Sequence, residues 1–147
     1  MKRLDLPPVW GALAAALTLL WAEAVDLSPS PAWLRLTGWL VIAAGVGWAA
    51  WAVVTLLGHD TPVEPRRRPR RLVTSGPFAW ARHPVYRGLV WAVAGLALAA
   101  GEATALVVAL GYALLLLRRF AIPEEAALEA AFGESYRAWA ARVRARL

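Results

Sequence analysis

The chain has 147 residues and a net charge of +6; 60% of it is hydrophobic, with nine tryptophans and a positive mean hydropathy. That is a single-domain length with the composition of a membrane protein, more apolar than a soluble core of this size requires. With no cysteine and only His59 and His83 as imidazoles, disulfides and thiol catalysis are excluded and no zinc-finger set can be assembled.

Lys2 and Arg3 precede an apolar run, 9–22, which leads into Ala22-Glu23-Ala24, a pattern like a signal-peptide cleavage site. Extended back to Leu6, the run approaches the ~20 residues of a spanning helix, and a retained helix over 7–24 is the simpler reading. Residues 26–31, with Asp26, Ser30 and Pro31, form a short turn-rich connection. A second span over 32–57 follows, with Trp33 and Trp39 at one end and Gly38, Gly45 and Gly47 where a neighbouring helix can approach closely.

Residues 59–71, HDTPVEPRRRPRR, are the one extended polar segment and lie within a loop over 58–84. Their prolines oppose a regular helix, and their arginines suit a surface of anionic lipid headgroups. Nucleic acid is the sharper reading of such a basic run, but no recognition fold accompanies it. The loop ends in GPFAWARHPVYRG, 76–88. Gly76-Pro77 is a turn pair, while Phe78 and Trp80 suit a membrane-water interface. Pro84 makes His83 a boundary and puts Tyr86 one turn inside a new helix. A helix start attracts anions through its free N–H groups, and Arg82 beside it makes a pocket for a carboxylate or phosphate. The plainer readings are a lipid phosphate on Arg82, a helix cap at His83 and an interface anchor at Tyr86.

Two apolar legs, 85–100 and 103–120, flank the tight turn at Gly101-Glu102. Each is about 16 residues or roughly 24 Å of helix, short of a ~30 Å hydrocarbon core, a deficit that Arg87, Arg118 and Arg119 can close by snorkelling. The tail, 123–146, opens with Pro123, Glu124 and Glu125, as a helix does. Leu128, Phe132, Tyr136, Trp139 and Val143 mark one apolar face, Gly133 is placed to break or bend it, and Arg137 and Arg144 turn away. At ~100° per residue Glu125 falls under the stripe and Glu124 at its margin, so Glu125 is the inward acid and needs a partner. With the N-terminus cytoplasmic and four spans, every Lys and Arg except Arg35 lies on the cytoplasmic side, and both termini with them. The expected fold is therefore all-α and integral to a cell membrane, multi-pass with about four transmembrane helices and a cytoplasmic amphipathic C-terminal helix. Arg82, His83 and Tyr86 would meet Glu125 there, around a zwitterionic ligand.

The run LVTSGPFAWARHPVYRG, followed about 35 residues later by EEAALEAAFGESYRAWAARVRARL, resembles the isoprenylcysteine carboxyl methyltransferase and phospholipid methyltransferase superfamily of integral membrane enzymes. The family's RHPxYxG motif stands here as Arg82, His83, Pro84, Tyr86 and Gly88. Its EExxLxxxFGxxYxxY pattern stands as Glu124, Glu125, Leu128, Phe132, Gly133, Tyr136 and Trp139. The resemblance implies S-adenosylmethionine as methyl donor and a lipophilic or lipidated acceptor entering from the membrane lipid, without metal. It also implies Arg82, His83 and Glu125 as catalytic residues. The cofactor-binding set it implies is Thr74, Gly76, Pro77, Trp80, Arg82, His83, Pro84, Tyr86, Gly88, Glu124 and Glu125. Two rivals are a membrane reductase using NADPH, whose larger helical bundle this chain lacks, and a non-catalytic lipid-binding scaffold.

Overall fold

The computed structural model describes residues 5–25, 30–64 and 70–143. Expectations for Lys2, Arg3, Asp26, the core of the basic segment (65–69) and the tail beyond Val143, Arg144 included, lie outside the described residues. Those described form helices and loops, with no strand among them.

Proline and glycine set most of the element boundaries. Helix α1 is Pro7–Val25, and α2, Ala32–Gly58, begins after Pro31 in an extended conformation. Beyond α2, Asp60 takes a positive φ of 52° that turns the chain into the loop. A 3-10 turn, Gly76–Ala79, precedes α3, Pro84–Ala99, which starts on its proline as the sequence requires. Gly101, at φ +87°, reverses the chain, and the Glu102 carboxylate accepts from the N–H of Thr104 at 3.0 Å to cap the turn Ala103–Ala105. Helix α4, Leu106–Leu116, then runs through a π turn, Leu117–Ala121, into α5, Ile122–Phe132. The π turn has a local cause. Pro123 has no N–H for the carbonyl four residues back, and its ring crowds that carbonyl, so the ladder widens ahead of it.

Three helices are long and apolar enough to cross a membrane: Pro7–Val25, Ala32–Gly58 and the combined run Ala103–Phe132. The fourth expected span, α3, is 16 residues, about 24 Å. It is nonetheless the hub, contacting α1, α2 and α4. Its tightest partner is α2, along a seam of glycines two turns apart. A Cβ built on Gly45 would sit 2.6 Å from the carbonyl oxygen of Gly88, and one on Gly38 2.6 Å from that of Gly95. Only glycine permits the two backbones to lie this close. Gly47, expected on the same seam, is off it; nothing lies within 4 Å of a Cβ there. Two residues past Gly45 is roughly 200° around the helix, so the two cannot share a face.

The tail is not one helix. Gly133, at φ +51°, breaks it, and α6, Glu134–Arg142, follows. The apolar stripe survives the break because both pieces bury it against the same cluster. Tyr136, Trp139, Ala140 and Val143 pack with Val73, Phe78 and Ala52, and Leu128 and Phe132 flank them. A second cluster, including Tyr86, Val93, Tyr112, Leu116 and Phe120, fills the space between α1, α3, α4 and the π turn. The loop before α3 and the pair α5–α6 thus meet over the start of α3. Elsewhere α1 and α2 expose their apolar side chains, Leu17, Leu20, Trp39 and Leu40 among them, the pattern of helices facing lipid.

Candidate active site

The start of α3 and the first turn of α5 bring the two motifs together. His83, held in a non-helical conformation (φ −127°, ψ 65°) ahead of Pro84, turns its imidazole inward, leaving 3% of the side chain exposed. Nε2 lies 3.2 Å from Glu125 Oε1, and Nδ1 lies 3.6 Å from Glu124 Oε2. One turn along, the Tyr86 hydroxyl donates to Glu124 Oε2 at 2.8 Å, and its ring stacks on the imidazole with centroids 5.4 Å apart and planes within 7°. The Glu125 side chain is 12% exposed and that of Glu124 37%, in the order their positions on the helix require.

An imidazole between two carboxylates has a predictable protonation bias. Burial works against the imidazolium, and hydrogen bonds and charge from Glu124 and Glu125 favour it; the net effect raises the His83 pKa above its ordinary 6.5. The two acids thus bias the buried imidazole toward its protonated form, and one of them also meets a guanidinium.

That guanidinium is Arg82, and most of it faces the protein. Nε donates to the carbonyl of Val143 at 2.7 Å and Nη2 to that of Ala140, while Nη1 lies 3.4 Å from Glu125 Oε2. Arg82 therefore satisfies carbonyls at the C-terminal end of α6, groups that have no partner within their own helix. It joins three things: the loop, the inward acid and the last helix. The Trp139 indole adds a second stitch by donating to the Phe78 carbonyl at 3.0 Å.

These groups line a cavity of about 690 Å³, within the range of small-molecule sites. Arg82, His83, Pro84, Tyr86 and Glu124 are on its wall, with Val73, Phe78, Leu128 and Trp139 as apolar lining and Glu64, Arg71 and Arg119 as further charged groups. The sequence-derived set is only partly gathered here. Trp80 is 69% exposed, and neither it nor Thr74, Gly76 or Pro77 lines the cavity. Gly76, at φ +57°, lies instead against Thr55 on α2. Gly88 lies on the α2 seam, where its role is close helix packing. Glu125 stands behind the wall, fixing His83 and Arg82. The reading from sequence did not select Trp139 for the site, having taken its stripe as packing; it also passed over Arg119, whose one signal is its position four residues before a helix-opening proline.

With this geometry in place, comparison gives a family. The model described as the isoprenylcysteine carboxyl methyltransferase (ICMT) family matches residues 39–130, more than half of the chain. No curated protein matches, and no solved structure matches.

Proposed function

Because the chain belongs to the isoprenylcysteine carboxyl methyltransferase family and is by that membership a membrane methyltransferase, we propose that it moves a methyl group from S-adenosylmethionine to a lipophilic acceptor, a carboxylate or an amine, at the cytoplasmic membrane face. The observation that carries this reading is the convergence of the two motifs: His83 and Tyr86 from the start of α3 meet Glu124 and Glu125 from α5 beside one cavity. The orientation is read from the excess of Lys and Arg in the loop and tail, which favours a cytoplasmic side for both termini and the cavity, with α3 as a fourth, short span.

The residues present suit the donor. Its ammonium and ribose hydroxyls call for acidic acceptors, supplied by Glu124 with Glu125 behind it. Its carboxylate calls for N–H donors, supplied by the first turn of α3, since Arg82 is engaged by α6. Phe78 and Trp139 offer aromatic surface for a ring or a sulfonium. When bound, S-adenosylmethionine supplies an electrophilic methyl on that sulfonium. The chain's own part is then alignment and exclusion of water, which α6 and the loop serve by closing over the cavity. A carboxylate acceptor arrives ionised and needs no base. An amine acceptor gives up a proton, and Glu124, more exposed than His83, is placed to take it.

Calorimetric titration of detergent-purified protein with S-adenosylhomocysteine and, separately, NADPH tests the reading, repeated on Glu125→Ala. Saturable binding of the first, weakened at least tenfold by the substitution, supports it. Binding of NADPH alone would transfer the site to reductase chemistry, and binding of neither would leave a scaffold.

A further inference from the structure

Helix α6 hangs on a hinge and is held by a latch. The hinge is Gly133, at φ +51°, with nothing within 4 Å of where a Cβ would stand. Arg137 reaches across it to Glu129, but both side chains are at least half exposed, and such surface pairs hold little. The latch is Arg82, whose Nε and Nη2 bind the Val143 and Ala140 carbonyls while its side chain is 15% exposed. Trp139, on the inner face of α6, forms part of the cavity wall. An α6 that swings out on Gly133 therefore opens that wall and takes both carbonyls from Arg82.

The latch is connected to the acid pair. Glu125 divides one carboxylate between two basic side chains: Oε2 lies 3.4 Å from Arg82 Nη1, and Oε1 lies 3.2 Å from His83 Nε2. The first contact is long for a charged pair, because the short bonds of the fork go to α6. With α6 undocked, the described acceptor that remains to Arg82 is Glu125, and a guanidinium prefers to grip a carboxylate through two bonds. Arg82 would then draw Glu125 from His83, whose other acidic neighbour, Glu124, stands on the cavity wall. Closure of α6 leaves Glu125 to the imidazole, and by reciprocity whatever fixes the imidazole and Glu124 favours closure.

We propose that α6 is a lid whose closure is coupled through Arg82 and Glu125 to occupancy of the cavity. A ligand held at Glu124 and His83 tightens the lid, and an open lid loosens the acid pair. The ligand's part in this rests on the reading of the cavity as the donor site; the hinge and the latch do not.

The chain has no cysteine, so one introduced thiol reports lid opening through its rate of maleimide labelling. Ala140→Cys puts it on the packed face of α6, where Ala140 is 8% exposed, and Ala121→Cys puts a control in the other apolar cluster, where Ala121 is 0% exposed. In the detergent-purified full chain, Arg82→Ala should speed labelling at position 140 at least tenfold and at position 121 less than twofold. Equal acceleration at both positions, or none at 140, overturns the proposal. Without ligand, Glu125→Gln should slow labelling at 140 several-fold, by removing the partner that Arg82 takes on opening. Faster labelling, the result if Glu125 merely braces Arg82, sinks the coupling. Saturating S-adenosylhomocysteine should slow labelling at 140 at least fivefold, and less than twofold in Glu125→Gln; equal protection in the two would assign it to direct contact with Trp139 and overturn the coupling. If S-adenosylhomocysteine does not bind at all, the donor reading falls, while the ligand-free comparisons still decide the lid. If Arg82→Ala does not fold, Arg82→Lys keeps the charge without the fork and should speed labelling at 140 several-fold; an unchanged rate overturns the proposal equally.

Discussion

Arg82 reaches across 61 residues of chain to donate from Nε to the carbonyl of Val143, so the first residue of the RHP motif is a cap on the last helix. A charged hydrogen bond to an otherwise unpaired carbonyl is worth about 1.5–3 kcal/mol, and Arg82 makes two of them to α6. Arg82→Ala should release α6, favouring its opening by about 2 kcal/mol, roughly thirtyfold. Trypsin cleavage after Arg137 and Arg142 reads this opening directly. Lysine cannot reproduce the fork, so Arg82→Lys should fall between wild type and alanine. Cleavage at the wild-type rate in Arg82→Ala would falsify the cap.

The glycine seam makes a contrasting pair. Gly88 faces the Gly45 carbonyl and Ala49, backbone and side chain that have nowhere to go, whereas Gly47 faces open space. Gly88→Ala should lower the unfolding midpoint in detergent, costing about 1–3 kcal/mol by overpacking. Gly47→Ala should leave it unchanged or raise it, by about 0.5–1 kcal/mol, through helix propensity. Equal effects at the two positions would show that α2 and α3 do not meet along this seam.

The protonation of His83 gives a pH signature. The folded pKa is raised above 6.5 by the two acids against the opposing effect of burial. The imidazolium's contribution to stability is therefore fully present below about pH 6.5 and fades as pH rises through the folded value. Thermal unfolding from pH 6 to 9 should show a midpoint that falls across this window in wild type and is flat in His83→Gln. A parallel fall in both proteins would assign the slope to other groups.

Two tryptophans should separate cleanly. Trp80 is exposed, while Trp139 is 3% exposed, lines the cavity and is tied to the Phe78 carbonyl. Trp80→Ala should leave S-adenosylhomocysteine affinity within twofold by calorimetry. Trp139→Ala should cost about 3–5 kcal/mol of stability and abolish measurable binding, and Trp139→Phe should recover part of both. A tenfold loss of affinity in Trp80→Ala, with the fold intact, would return that residue to the site.

How much of this was readable in advance depends on range. Spans and helix starts are local matters of hydropathy and proline, so α1, α2, the start of α3 at Pro84 and the break at Gly133 could be placed from composition and spacing. The inward turn of Glu125 follows from 3.6 residues per turn and a visible stripe. Arg82 could not be resolved this way, since its partners are main-chain carbonyls, and an acceptor shared by every residue leaves no mark in sequence. Trp80 is ambiguous for a related reason: an indole suited to an interface reads the same whether it faces a cofactor or lipid. Gly88 carried a motif signal, but the motif does not tell helix packing from ligand contact.

The π turn has a consequence for how the chain tolerates change in length. A wide turn holds one residue more than an α turn, so deleting one residue within Leu117–Ala121 would let the ladder close to ordinary α geometry with α5 left nearly in phase. The same deletion in α4 would turn everything downstream by about 100° with a shift of about 1.5 Å along the axis, and Glu124 and Glu125 would swing off His83 although no site residue had been altered. The segment therefore acts as a length buffer between the membrane span and the acid pair, taking up a residue that a regular helix would convert into a rotation of the site.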